Sequence, residues 1–425
     1  MAIAVAQRPS QKPQKQGPKA AKFSHPKYLS YDNLDKVGEA ALFYGFSPLA
    51  LPHITAADVA NGKRISECEI VVDGDLHEEG ASVRLEEKLA LLRLYDEQKM
   101  ASLPQPIQLF YKTPFAGDRR KPTGKVKESH YGLEILGTSK PMAEAILIQT
   151  ALAILTDAGE KDMHVVVNSM GDKDSLARFS REITAYYKKH LPSLPQKCRD
   201  TVKRDVFALL GCDHEACKRL AEDCPKSINF LSERSREHFK ELLEYLETLG
   251  VPYAITNTLV ANRDYCDETI FEIRSSDPKR HPLAIGIRYD GLAKKVGHKK
   301  DLPAVGVSIA VPKRATKEAA VKKSVVTKIL APEICFMQLG VEAKQKSLRV
   351  METLRQARIP VVQSLIKDKM AGQVGMAEKF ATPVVLVMGK KEAMEDAVIV
   401  RDSDTRSQDT VLIVDVAAKL KKYKV

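Results

Sequence analysis

The chain has 425 residues, enough for two or three folding units and a full hydrophobic core without staples. Hydrophobic residues at 44% and charged residues at 29% exclude a wholly disordered chain, and no apolar run is long enough to cross a membrane. The 67 Lys and Arg against 55 Asp and Glu leave a net charge of +12, which favours polyanionic partners, nucleic acid first among them.

The seven cysteines are odd in number and spread from Cys68 to Cys335, which excludes a secreted disulfide framework and predicts reduced thiols. Met1–Ala6 is too short for a signal-peptide core, so the expected location is cytoplasmic. Residues 1–24 form a basic arm: Arg8, Lys12, Lys15, Lys19 and Lys22 stand among Gln, Pro and Ala without apolar periodicity, and the arm is expected to be disordered.

From Tyr28 the pattern becomes globular. Leu34–Tyr44 has helical apolar spacing, and Gly45–Pro52 leaves that helix as an extended segment. Arg84–Met100 is amphipathic, with Leu85, Leu89 and Leu92 on one face. Strands are expected at Ile107–Tyr111, Tyr131–Leu136 and His164–Val167, with a helix over Met142–Ala158. Ser232–Leu249 reads as a helix with Gly250 at its C-cap, and strands follow at Thr269–Ile273, Leu283–Arg288 and Ala304–Ala310. This mixture predicts an α+β fold, an antiparallel sheet flanked by helices. Lys313–Lys328 is lysine-rich and reads as a linker. Beyond it strands and helices alternate (strand Glu333–Leu339, helix Val341–Ala357, strand Pro360–Ser364, helix Gly372–Ala381, strand Pro383–Met388), the pattern of a separate C-terminal α/β unit on a mainly parallel sheet.

Chemistry-bearing motifs are few. Cys212-x-His214-x-x-Cys217, with Cys224 beyond, matches no standard zinc spacing and reads as small core residues. Cys266 beside Asp264 and Tyr265 shows no paired base that would make it a nucleophile. There is no Walker loop and no G-x-G-x-x-G, and Gly286–Gly291 is too bulky at Ile287 to cradle phosphate.

Several segments in one order carry more information. Val167-Asn168-Ser169-Met170-Gly171-Asp172-Lys173, Leu259–Cys266 (LVANRDYC), Arg288-Tyr289-Asp290-Gly291-Leu292 and Pro303–Lys313 (PAVGVSIAVPK) resemble, respectively, the LNSLGD, LVRGLDYY, RYDGL and third class II motifs of bacterial histidyl-tRNA synthetases. Leu191–Thr201 and Ser235–Tyr253 resemble the family's insertion region and the helix that follows it, residues 45–52 resemble its first class II motif, whose proline lies at a dimer interface, and 333–425 resembles its anticodon-binding domain. The resemblance implies a class II core over 25–327, with a helical insertion around 190–230, and an anticodon-binding-like unit over 328–425. It also implies a homodimer and a tRNA or other structured RNA partner, with no membrane association.

The departures fall at one site. Where the family places phosphate-facing arginines, this sequence has Ala116 (or Gly117), Ala261 and Lys313, and the paired glycines before RYDGL have become Gly286-Ile287. Adenylate formation needs fixed cations at the α-phosphate, and each one lost removes about 2–4 kcal/mol of transition-state stabilisation. Arg263, or Arg119 and Arg120, are the available replacements. The amino-acid end of the pocket keeps more: Arg84, Glu86 and Glu134 occupy the family's ammonium-binding pieces, with His130, Asp264, Tyr265 and Tyr289 around them. No catalytic residue or metal ligand is assigned, and these seven residues are the candidate site for an amino-acid ligand. The expected function is an RNA-binding or regulatory relative of the family without aminoacylation activity and with no cofactor. The alternatives are a divergent active histidine–tRNA ligase, which would use ATP and Mg, and an amino-acid-sensing regulatory subunit.

Overall fold

The computed structural model describes residues 26–50, 52–66, 80–113, 128–316, 320–364 and 370–422. The basic arm and the segment holding Ala116, Gly117, Arg119 and Arg120 lie outside the described residues. Among the described residues two sheets organise the molecule.

The larger sheet contains β1 (Ser47–Pro48), β2 (Ile107–Lys112), β3 (Glu128–Leu136), β4 (Met163–Gly171), β5 (Tyr253–Ile255), β6 (Asp267–Ser275), β7 (Ala284–Arg288) and β8 (Ala304–Pro312). Its order is β1-β2-β3-β8-β7-β6-β4-β5, antiparallel except for the parallel edge pairs β1–β2 and β4–β5. The expected antiparallel α+β core is present. Its central strands are apolar on both faces, because helices cover one side and the site covers the other. Helix Met142–Asp157, buried over nearly its whole surface, packs on β8 and against helices Lys36–Phe43 and Glu233–Leu249. The last of these starts at Ser232, whose hydroxyl accepts the Ser235 N–H at 3.2 Å, and stops at Gly250, which takes the left-handed φ of 67° that a Cβ would disfavour.

Between β4 and β5 the chain makes a helical insertion with its own small core, built from helices Lys173–Lys189, Gln196–Arg204 and Glu215–Asp223. The VNSMGD segment stitches this insertion at its base. Asp172 caps the first helix by accepting the Ser175 N–H at 2.9 Å, and it also accepts the Ser232 hydroxyl at 2.7 Å from the far end of the excursion. Asn168 donates to the Leu259 carbonyl at 2.9 Å and accepts from Ser227.

The smaller sheet contains β9 (Ile334–Gln338), β10 (Val362–Gln363), β11 (Val384–Met388), β12 (Ala397–Asp402) and β13 (Gln408–Leu412), in the order β10-β9-β11-β12-β13. Here the structure corrects the sequence reading twice. The sheet is mixed: β10, β9 and β11 run parallel, but β12 and β13 form an antiparallel pair added at its edge. The lysine-rich segment is also partly helical, with a short helix at Lys313–Thr316 and another at Lys323–Leu330 whose Val326 is buried in the main core. Val326, with Ile329 and Leu330 packed against the same cluster, docks a stretch whose lysines suggested a linker.

The two sheets share a seam. The Tyr44 hydroxyl donates to Glu352, Gln149 donates to the Tyr44 oxygen at 3.3 Å, and Arg355 bridges Glu352 at 2.9 Å and Asp157 at 2.7 Å.

Candidate active site

Glu134 sits mid-strand on β3 and is fully buried. In register beside it stands Gly306 of β8, where a Cβ would come within 1.8 Å of the Glu134 Oε2 oxygen. Only glycine leaves that carboxylate its space. Across on β2, Tyr111 lies over Gly132, where a Cβ would fall 2.3 Å from the tyrosine ring.

Three donors converge on the carboxylate. The Tyr289 hydroxyl donates to Oε2 at 2.7 Å and the Tyr111 hydroxyl to Oε1 at 3.0 Å. The third donor is the ammonium of Lys88, bonded to Oε1, on a side chain only 1% exposed. The same ammonium lies 5.5 Å from the Tyr289 ring centroid, a cation–π distance. Burial, and after it the charge of Glu134, pushes both tyrosines far above the ordinary phenol range, so they act as neutral donors. A buried carboxylate therefore has one full counter-charge and two hydroxyls, all supplied by this chain.

Lys88 belongs to helix Leu85–Glu97 and shares its inward face with Leu85, Leu89 and Leu92. Its neighbour Glu87 is also buried and accepts the Thr113 hydroxyl; burial raises its pKa, which Thr113, Arg84 and Lys88 partly offset. Of the sequence-assigned residues, Glu134 and Tyr289 are thus in direct contact. Arg84 caps the helix 4.0 Å from Glu87, and its charge adds to burial in pushing His130 down to about 4, so the imidazole is neutral at pH 7. Glu86 is half-buried and its charge reaches Tyr265, whose pKa is raised first by burial. Asp264 is apart from the Glu134 cluster: its backbone N–H donates to Asn262 at 2.9 Å, and its Oδ2 is buried without a hydrogen-bond partner. Burial pushes the Cys266 thiol up, which disfavours the thiolate a nucleophile needs.

The phosphate-side positions are equally informative. Ala261 and Ile287 are buried in the apolar cluster that also holds Tyr265, Cys266 and Tyr289. Arg263 is committed elsewhere: it bonds Asp205 of the insertion at 2.6 Å and stacks 4.1 Å over the Phe207 ring. Arg288 of the RYDGL segment is fully buried and makes a fork onto Glu144 with two bonds of 2.7 Å, reinforced by His238 at 2.8 Å from the same carboxylate. It anchors the helix behind the sheet, leaving Tyr289 as the member of that motif facing Glu134.

Sequence reasoning missed Lys88 and Tyr111. A lysine at a core-facing helical position was the available signal for the first, and a tyrosine opposite a strand glycine for the second.

A family model described as histidyl-tRNA synthetase matches residues 35–313. The chain belongs to the histidyl-tRNA synthetase family. A second model, the anticodon binding domain, matches residues 333–423. Curated histidine–tRNA ligases resemble the chain over most of its length: that of Desulforamulus reducens is 25% identical over 387 residues, spanning 89% of this chain and 91% of its own length. That of Fervidobacterium nodosum is 27% identical over 381 residues, spanning 88% and 90%. A crystal structure of apo histidyl-tRNA synthetase from S. aureus superposes with a TM-score of 0.48 at 21% identity, covering 91% of this chain and 93% of that one. A Bacillus halodurans structure described as an ATP phosphoribosyltransferase regulatory subunit/histidyl-tRNA synthetase superposes with a TM-score of 0.42 at 15% identity, covering 86% and 97%. Among the described residues no helix is long and apolar enough to cross a membrane.

Proposed function

We propose that this chain is a histidyl-tRNA synthetase family member that does not activate histidine and works by binding tRNA or another structured RNA. The buried Lys88–Glu134 pair carries the reading. In the family the Glu134 position faces the α-ammonium of the amino acid; here a lysine of the chain supplies that ammonium. A free amino acid would have to evict Lys88 and leave its charge unpaired in a dry pocket, at a cost of about 3–5 kcal/mol. That is roughly a hundredfold to a few thousandfold in affinity.

The phosphate end supports the same reading. Ala261 and Ile287 add apolar surface where adenylate chemistry needs fixed cations, and Arg263 is neutralised by Asp205. For RNA, the anticodon-binding match and the net charge of +12 are the support, with Lys322, Lys323 and Lys328 on the helix leading into the smaller sheet. A cytoplasmic homodimer through residues 45–52 completes the proposal.

Pyrophosphate exchange with ATP and histidine, run beside filter binding of tRNA over a salt series, is the test. The expected outcome is no exchange, and RNA affinity that falls with salt at a log–log slope of about −0.7 per phosphate contact on single strands. Exchange within tenfold of an ordinary synthetase would establish the ligase instead, and salt-independent or absent RNA binding would refute the RNA role.

A further inference from the structure

Three cysteines from three segments meet inside the helical insertion. Cys198 comes from helix Gln196–Arg204, Cys212 from the turn after Val206–Leu209, and Cys217 from helix Glu215–Asp223. The motif visible in sequence joined Cys212 to His214 and Cys217; the fold instead brings in Cys198, from fourteen residues upstream, and leaves Cys224 outside the group. We propose that Cys198, Cys212 and Cys217 form a structural zinc site.

Geometry is the first argument. Zinc holds thiolates at about 2.3 Å in a tetrahedron, which sets sulfur–sulfur edges of about 3.8 Å. The Cys198 and Cys212 sulfurs are 3.9 Å apart, and all three sulfurs lie within 4.8 Å of one another. Cys198 and Cys217 are buried while Cys212 is half-buried, so the fourth position faces the solvent side. The exposed His214, whose Nδ1 accepts the Ala216 N–H at 3.3 Å, lies outside the group, so a water completes the shell.

The second argument is an orphaned donor. Tyr187 is fully buried, and its hydroxyl has no hydrogen-bond partner. Burial is the main cause of its raised pKa, and the charges that reach it are those of Cys224, Tyr186, Cys217 and Cys212, so it faces the cluster of thiols of which the triangle is part. Thiols are weak acceptors, whereas a metal-bound thiolate is a strong one, so loading the site satisfies the hydroxyl as an outer-shell donor. The third argument is size. The insertion folds around a small core separate from the sheet, the situation in which a metal replaces missing apolar surface.

The test uses the full chain, purified without chelator. Elemental analysis is expected to find one zinc per chain, and the cobalt-exchanged protein to show thiolate-to-cobalt charge-transfer bands with the d–d intensity of a tetrahedral site. Cys198→Ser and Cys217→Ser are expected to lose the metal, while Cys335→Ser, a buried thiol of the smaller sheet, keeps it. Should the two insertion variants fail to fold, stripping the native protein and titrating it with cobalt still decides: one equivalent with charge-transfer bands supports the site. Substoichiometric zinc together with an octahedral cobalt spectrum would overturn it. So would a Cys198–Cys212 disulfide in non-reduced peptide maps, which would make the triangle a redox pair. Neither result touches the Lys88 argument.

Discussion

Replacing Lys88 by alanine measures the pocket directly. The substitution leaves Glu134 with Tyr289 at 2.7 Å and Tyr111 at 3.0 Å, two neutral hydroxyls, and no counter-charge in a site with no solvent access. Breaking a buried pair from one side costs about 3–5 kcal/mol, and the lost lysine methylenes add to it at about 0.8 kcal/mol for each that was buried. Urea unfolding followed by circular dichroism reads that loss as a shift of midpoint at constant slope. The double variant Lys88→Met/Glu134→Gln removes both charges and is expected to recover most of the deficit, because the penalty belongs to the stranded carboxylate. Methylammonium should stabilise Lys88→Ala and leave the parent unchanged, since the parent's ammonium position is occupied. A single variant within about 1 kcal/mol of the parent, or equal amine stabilisation of both, would refute the assignment of Lys88 as a resident ammonium.

Two further outcomes follow from the same neighbourhood. His130 is held near 4 in the folded state against 6.5 unfolded, so its neutral form supports the fold fully above pH 6.5, and that support is lost as pH falls from 6.5 through 4. His130→Gln should flatten the stability profile in that window, measured by thermal melts from pH 7 to 4; an unchanged slope would contradict the assignment. Gly306→Ala forces a methyl onto the Glu134 carboxylate and should cost roughly 3 kcal/mol or more, whereas Gly375→Ala, in helix Met370–Phe380 with nothing within 4 Å, should be neutral or stabilise by about 1 kcal/mol. Equal effects of the two in chemical denaturation would show that the close approach is not what requires Gly306.

Most elements were legible because their signals were local. Helix Glu233–Leu249 announced its stripe and its Gly250 stop, and strands β2, β3, β4, β6, β7 and β8 appear within a few residues of where the sequence put them, whereas the three-residue edge strand β5 had no signal of its own. The antiparallel pair β12–β13 went unread: Ala397–Val400 and Val411–Val414 are short apolar runs flanked by charged residues, and which partner they pair with is settled only by the edge of β11. The site was half legible. Glu134 and Tyr289 followed from the resemblance, but Lys88 did not: its spacing with Leu85, Leu89 and Leu92 marks it as inward-facing, yet nothing in that pattern names the carboxylate forty-six residues away that it meets. The cysteine triangle was hidden for the same reason, since Cys198 joins the other two only after the insertion has closed.

The seam through Tyr44, Gln149, Glu352, Arg355 and Asp157 gives the molecule a fixed stance. A unit tethered by a loose linker must find its orientation each time a large ligand spans it and its neighbour, and the lost rotational freedom is charged against that encounter. Here the smaller sheet is clamped before any ligand arrives, by an arginine that grips acids from both sides of the boundary. Any large ligand reaching across both sheets would meet a preset angle and spacing, fixed by the scaffold before the side chains that touch it.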